Sequence, residues 1–110
     1  MKVFLTACCS LLLLVACGGE KNATTVSFKV YGNCGMCEKT IEGSLEKEGI
    51  YFADWDKETK MIEIRYDSVQ LAQEDLHQII AASGYDTELA RSSDEAYSDL
   101  HECCQYERPM

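Results

Sequence analysis

Two cysteines three residues apart, Cys34 and Cys37, stand where one backbone period gives way to another. Before them Val26, Phe28 and Val30 alternate with Ser27, Lys29 and Tyr31, the pattern of a half-buried strand. After them Cys37, Ile41 and Leu45 recur every fourth residue, one face of a helix. The thiols therefore belong to a loop and to a helix's first turn. Unpaired helix N–H groups and the macrodipole favour anionic sulfur there and lower a thiol's pKa. Gly32 before the pair and Gly35 within it are expected to let the loop turn tightly through backbone angles closed to other residues. A lowered thiol pKa suits a soft-metal ligand or a redox nucleophile, so the rest of the chain has to decide between them.

The remaining pattern supplies a small domain. The first strand is expected over 26–31 and the first helix over 36–48, weakened at Gly43 and capped at Gly49. A second strand spans 50–55, with Tyr51, Ala53 and Trp55 on one face. A polar turn follows over 56–60, and then a third strand over 61–66 that turns Ile62, Ile64 and Tyr66 inward. Asp67 and Ser68 are placed to cap a second helix running to Ser83, whose apolar face is Leu76, Ile79, Ile80 and Ser83, with His77 on the solvated side. Gly84 ends it, and 85–90 reads as a last short strand. The order is βαββαβ, an α+β ferredoxin-like sandwich with a four-stranded antiparallel sheet and two helices on one face. Beyond Arg91, a capping box of Ser92 and Glu95 opens a short C-terminal helix, and residues 105–110 are expected to be loose.

The chain's start carries an address rather than a fold. Lys2 precedes an apolar run from Val3 to Val15, too short to span a bilayer stably. Leu14-Val15-Ala16-Cys17 resembles the lipobox of bacterial lipoproteins. That resemblance implies removal of residues 1–16 and acylation of Cys17. Residues 17–25 would then tether the lipid to the domain, outside the cytoplasm at the cell envelope, on a periplasmic face or the cell surface. Of the chain's 7 cysteines, Cys34, Cys37, Cys103 and Cys104 would remain as thiols. Losing Lys2 and no acidic residue takes the formal net charge from -9 to -10. Such acidity argues against nucleic acid as a partner.

Residues 26–90 resemble a heavy-metal-associated domain, the family of copper chaperones, periplasmic mercury-binding proteins and the N-terminal domains of metal-pumping P-type ATPases. The resemblance rests on Gly32-Asn33-Cys34-Gly35-Met36-Cys37, on the βαββαβ order and on Ser83-Gly84-Tyr85-Asp86 before the last strand. It implies metal ligation by Cys34 and Cys37, flanked by Gly32, Asn33 and Gly35. It also implies that Tyr85, in the loop after the second helix, shields the site. The sequence departs from the family where a methionine usually precedes the first thiol. Here Asn33 alone separates Gly32 from Cys34, and Met36 lies between the cysteines.

Thiolates select soft ions, so Cu(I) is the first choice, and Hg(II) and Zn(II) follow. Two ligands suffice for a near-linear ion and leave a tetrahedral zinc site half empty, which favours transfer by ligand exchange. The expected partners are the metal ion and a thiol-bearing transporter or chaperone, with the membrane reached through the lipid. A thiol–disulfide redox protein cycling Cys34–Cys37 is the alternative from another class, but the chain's one proline, Pro109, lies in the tail rather than opposite the pair. A protein-interaction module of the same fold is a third reading. No nucleophile–base triad, phosphate loop or catalytic carboxylate pair is present in the sequence, so the chain does not read as an enzyme. The tail adds His101, Cys103 and Cys104, and the loop adds the Met36 thioether. The tail either extends the metal site, holds a second ion, forms a vicinal Cys103–Cys104 disulfide or merely packs, since free cysteine behaves as a small hydrophobe, and Met36 either lends its thioether or packs. Cys17→Ser is expected to abolish lipidation, and metabolic labelling with a radioactive fatty acid tests it: undiminished label in the variant rules out Cys17 as the acylated residue.

Overall fold

The computed structural model describes residues 20–109, so the signal segment, Cys17 and the start of the tether lie outside the described residues. Three strands form one antiparallel sheet: β1 Ala23–Lys29, β2 Ile50–Trp55 and β3 Met61–Asp67, in the order β1-β3-β2. Helix α1, Gly35–Ser44, follows β1, and helix α2, Gln73–Ala82, follows β3. The short helix α3, Asp94–Ser98, and a 3-10 turn at Glu102–Cys104 complete the chain. Among the described residues no helix is long and apolar enough to cross a membrane.

Register follows from alternation. Val26 faces Ile64 and Phe28 faces Ile62 across β1 and β3, while Ala53 and Trp55 face the same two isoleucines from β2. One sheet face thus collects Phe28, Trp55, Ile62, Ile64 and Tyr66, all buried. The other carries Ser27, Glu63 and Asp54 into solvent. Onto the apolar face α1 sets Ile41 and Leu45, and α2 sets Leu76 and Ile80. Each such side chain gains about 1.5–3 kcal/mol from full burial. That outweighs the cost of about 1 kcal/mol for Gly43 inside α1. The result is the α+β ferredoxin-like arrangement the periodicity implies.

Several local expectations give way. β1 begins at Ala23, so 23–25 are strand rather than tether, and Tyr51 Oη donates to the Lys21 carbonyl at 2.8 Å. A register shift between Ile50 and Phe52 puts Ile50, not Tyr51, opposite Tyr66. Helix α1 ends one residue past Gly43, well before Gly49, whose φ of +91° serves the turn into β2. Asp67 does not cap α2: it closes the preceding turn by accepting from the Val69 and Gln70 N–H groups, and α2 starts after Ala72. The fourth strand shrinks to a single bridge between Val30 and Thr87. The reason is Thr87 itself, whose Oγ1 accepts from the N–H groups of Leu89 and Ala90 and turns the chain off the sheet edge. The capping serine of α3 is Ser93, which accepts from Ala96 N, while Ser92 N donates to Asp86 Oδ1 at 2.6 Å.

Residues 105–109 are not loose. Tyr106 is buried, and its hydroxyl donates to the Gly84 carbonyl at 3.0 Å and accepts from Asp86 N at 2.7 Å. Its ring stacks on Tyr85 and meets Tyr97 edge-on. Arg108 forks onto both oxygens of buried Asp86, at 2.9 and 3.0 Å, and reaches Asp94 at 2.8 Å. Burial pushes the Asp86 carboxyl up, but the Arg108 guanidinium and the Ser92 N–H bring it below the usual range. Removing one partner of such a pair strands a buried charge, typically at a cost of about 3–5 kcal/mol. We call residues 99–109 the strap.

His77 is likewise not solvated. It is fully buried, stacked on Phe28 at 3.8 Å between ring centroids, with Nδ1 2.5 Å from Thr87 Oγ1. Because Thr87 Oγ1 already accepts two N–H groups, its proton goes to Nδ1. The neutral ring then carries its hydrogen on Nε2, which has no partner among the described residues. Burial lowers the imidazole pKa, with Glu88 opposing weakly. A folded-state pKa below the unfolded one leaves stability intact above about pH 6.5 and erodes it as pH falls toward the folded value. Urea unfolding at pH 7.5 and 5.5 is therefore expected to show a stability loss in the native protein that is smaller in His77→Phe, and equal losses would refute the assignment.

Candidate metal centre

The loop between β1 and α1 is held from three sides. Val30 O accepts from Trp55 Nε1 at 3.0 Å, Tyr31 N donates to Asp86 O at 2.9 Å, and Lys60 Nζ donates to Gly32 O at 2.7 Å. The buried Trp55 ring packs against the loop at Gly32, where a Cβ would stand 3.0 Å from two ring carbons. Gly32 is thus required for room, not for unusual backbone angles, and Gly35 faces open space. Neither glycine has a positive φ. Trp55 was missed as the loop's platform because its alternation marked it only as core.

Cys34 is the N-cap of α1 and Cys37 sits in its first turn. Their sulfurs are 4.0 Å apart. The N–H groups of Cys37 and Met36 point at the Cys34 sulfur and hold its pKa below the ordinary thiol value, the effect expected at a helix start. Cys34 is partly exposed; Cys37 is fully buried, and its sulfur accepts from Asn33 N at 3.4 Å. One thiol is thus open to an incoming ion or partner, and the other anchors the pair from inside.

The strap reaches this pair. Cys104 is buried, and its sulfur, with those of Cys34 and Cys37, forms a group in which all three lie within 4.8 Å of one another. Burial pushes the Cys104 thiol up to about 12. Tyr85 lies beneath as a fully buried ring rather than a surface shield. Its hydroxyl has no hydrogen-bond partner among the described residues and faces the thiols of Cys37 and Cys104. Burial and those thiols push its pKa up.

The other tail and loop candidates fall elsewhere. Helix α3 stops at Ser98, and His101 beyond it is exposed, outside the group. Cys103 points outward, its sulfur 3.7 Å from Met36 Sδ and 4.0 Å from Cys104 Sγ. Asn33 Nδ2 donates to the Cys103 carbonyl at 3.2 Å, tying loop to strap. Asp86, Tyr106 and Arg108 position the strap; Asp86 stood in the sequence only as part of the motif before the last strand, and Tyr106 and Arg108 were not picked out. An arginine near the end of the tail, able to neutralise an otherwise buried aspartate, was the available signal. Limited alkylation of the reduced native protein at pH 7 is expected to label Cys34 and Cys103 well before Cys37 and Cys104, as read by peptide mass mapping. Equal rates at all four would contradict the burial described.

No family model matches the sequence, and no curated protein matches it. Solved structures do. A CopZ metallochaperone is 27% identical with a TM-score of 0.56, the match covering 58% of this chain and 98% of that one. A putative copper-ion-binding protein from Bacillus anthracis str. Ames is 26% identical at TM-score 0.56, over 60% of this chain and 96% of its own. Oxidised MerP from Ralstonia metallidurans CH34 is 26% identical at TM-score 0.56, over 60% and 94% respectively. Nearly the whole of each neighbour is thus accounted for by about three-fifths of this chain. With its thiol pair at the β1–α1 junction, the chain shares the fold of these metal-binding structures.

Proposed function

We propose that this protein binds a soft metal ion reversibly through Cys34 and Cys37 and exchanges it with another thiol-bearing protein. The observation that carries the reading is the asymmetry of the pair: a partly exposed, acidified Cys34 set 4.0 Å from a buried Cys37. An accessible thiolate starts ligand exchange, and a buried one retains the ion until the new bond has formed. Cu(I) is the preferred cargo because thiolates are soft and because two of the similar structures are described as a metallochaperone and a copper-ion-binding protein. Hg(II) and Zn(II) are the next candidates. The lipobox-like Leu14-Val15-Ala16-Cys17 supports a place at the envelope, tethered outside the cytoplasm. The chain's acidity, formal net charge -9, favours cations near its surface.

The same asymmetry suits a thiol–disulfide oxidoreductase, so the test has to separate the two. Anaerobic Cu(I) titration against a chromophoric chelator is expected to show tight binding by the reduced protein and no insulin reduction. Loss of one outer-shell partner costs a metal site about 10–100-fold in affinity, so replacing both Cys34 and Cys37 with Ser should cost more than about 100-fold. Insulin reduction without tight Cu(I) binding would establish the redox reading instead.

A further inference from the structure

We propose that the strap supplies a third thiolate, Cys104, to the ion held by Cys34 and Cys37, so that the protein retains its cargo in a three-sulfur site. This rests on the two-thiol reading above and adds a ligand that none of its arguments required. The first support is geometric. With metal–sulfur bonds of about 2.3 Å, a linear ion separates its two sulfurs by about 4.6 Å, and a planar three-sulfur ion separates each pair by about 4.0 Å. The Cys34 and Cys37 sulfurs stand 4.0 Å apart, at the three-coordinate spacing. Cys104 lies within 4.8 Å of both, close enough for a small side-chain adjustment to complete the triangle.

The second support is an orphan. The Tyr85 hydroxyl is wholly buried, has no hydrogen-bond partner among the described residues, and faces Cys37 and Cys104. A buried O–H without an acceptor is costly unless an anionic neighbour arrives. When the ion displaces the protons of the thiols to solvent, the sulfurs become acceptors and the hydroxyl gains one.

The third support is that Cys104 is placed deliberately. Tyr106 is bonded to Gly84 and Asp86, Arg108 is bolted to Asp86, and Asn33 holds the Cys103 carbonyl. A thiol that only filled space would not need a charged lock four residues beyond it. Cys103, adjacent in sequence but turned outward, has no place in the triangle and serves as the internal control. A third bond slows release, and the ion leaves when the strap lifts. Arg108→Ala is therefore expected to speed release without removing a sulfur.

The test is X-ray absorption at the copper edge on the Cu(I)-loaded full chain as purified, its N-terminus read by mass spectrometry, together with the rate of transfer to a chelator. Three sulfur neighbours are expected in the native protein and in Cys103→Ser. Cys104→Ser and Cys104→Ala are expected to show two, and to transfer copper about tenfold or more faster, the scale of losing one well-placed metal interaction. The native sulfur count needs no variant, so it stands even if a Cys104 variant misfolds. Two sulfurs in the native protein, or unchanged transfer in a folded Cys104 variant, overturns the third ligand and leaves the two-thiol reading intact. Copper binding that survives loss of Cys34 and Cys37 overturns both.

Discussion

Asp86 is the residue on which the functional end of the molecule depends. Its carbonyl accepts from Tyr31 N and so fixes the start of the thiol loop, while its N–H donates to Tyr106. Its carboxylate takes Arg108 and the Ser92 N–H. One buried residue thereby ties the β1–α1 loop, the residual last strand and the strap into one assembly. Because the carboxylate is only 1% exposed, its charge has to be met inside the protein. Arg108 meets it, which explains why a surface-type residue near the chain's end is ordered at all.

The sheet was legible because its signal is local. Ile62, Ile64 and Tyr66 alternate with polar residues, and alternation of period two depends only on which face is buried. Helix α1 and α2 were legible for the same reason. What failed had its cause at a distance. His77 looked solvated by its position on α2, but Phe28 and Thr87 arrive from other segments to cover and bond it. The last strand looked regular until Thr87 spent its hydroxyl on its own downstream backbone. Asp67 was a good capping residue that capped a different turn.

The site divides in the same way. Cys34 and Cys37 were legible because their chemistry follows from a motif within four residues. Gly32 was noticed for a wrong reason: it yields space to Trp55, a residue from β2, and no sequence pattern shows such an approach. The tail could be recognised as chemically dense, but which of its groups turns inward depended on α3 ending at Ser98 and on Tyr106 docking against Tyr85. Those contacts send Cys104 inward and leave His101 and Cys103 in solvent.

Gly84 shows what this arrangement means for how the molecule comes apart. It ends α2 with φ at +110°, and a Cβ there would stand 2.9 Å from Leu100 and 3.0 Å from the Ala96 carbonyl. The same residue is thus the terminus of a core helix and the floor on which the C-terminal segment rests. Any lifting of the strap therefore uncovers the end of α2, at a position whose backbone few residues but glycine adopt. Excising the portion that corresponds to its shorter structural neighbours would uncover an apolar seam, Tyr85 and Tyr106 among it, rather than release a finished domain.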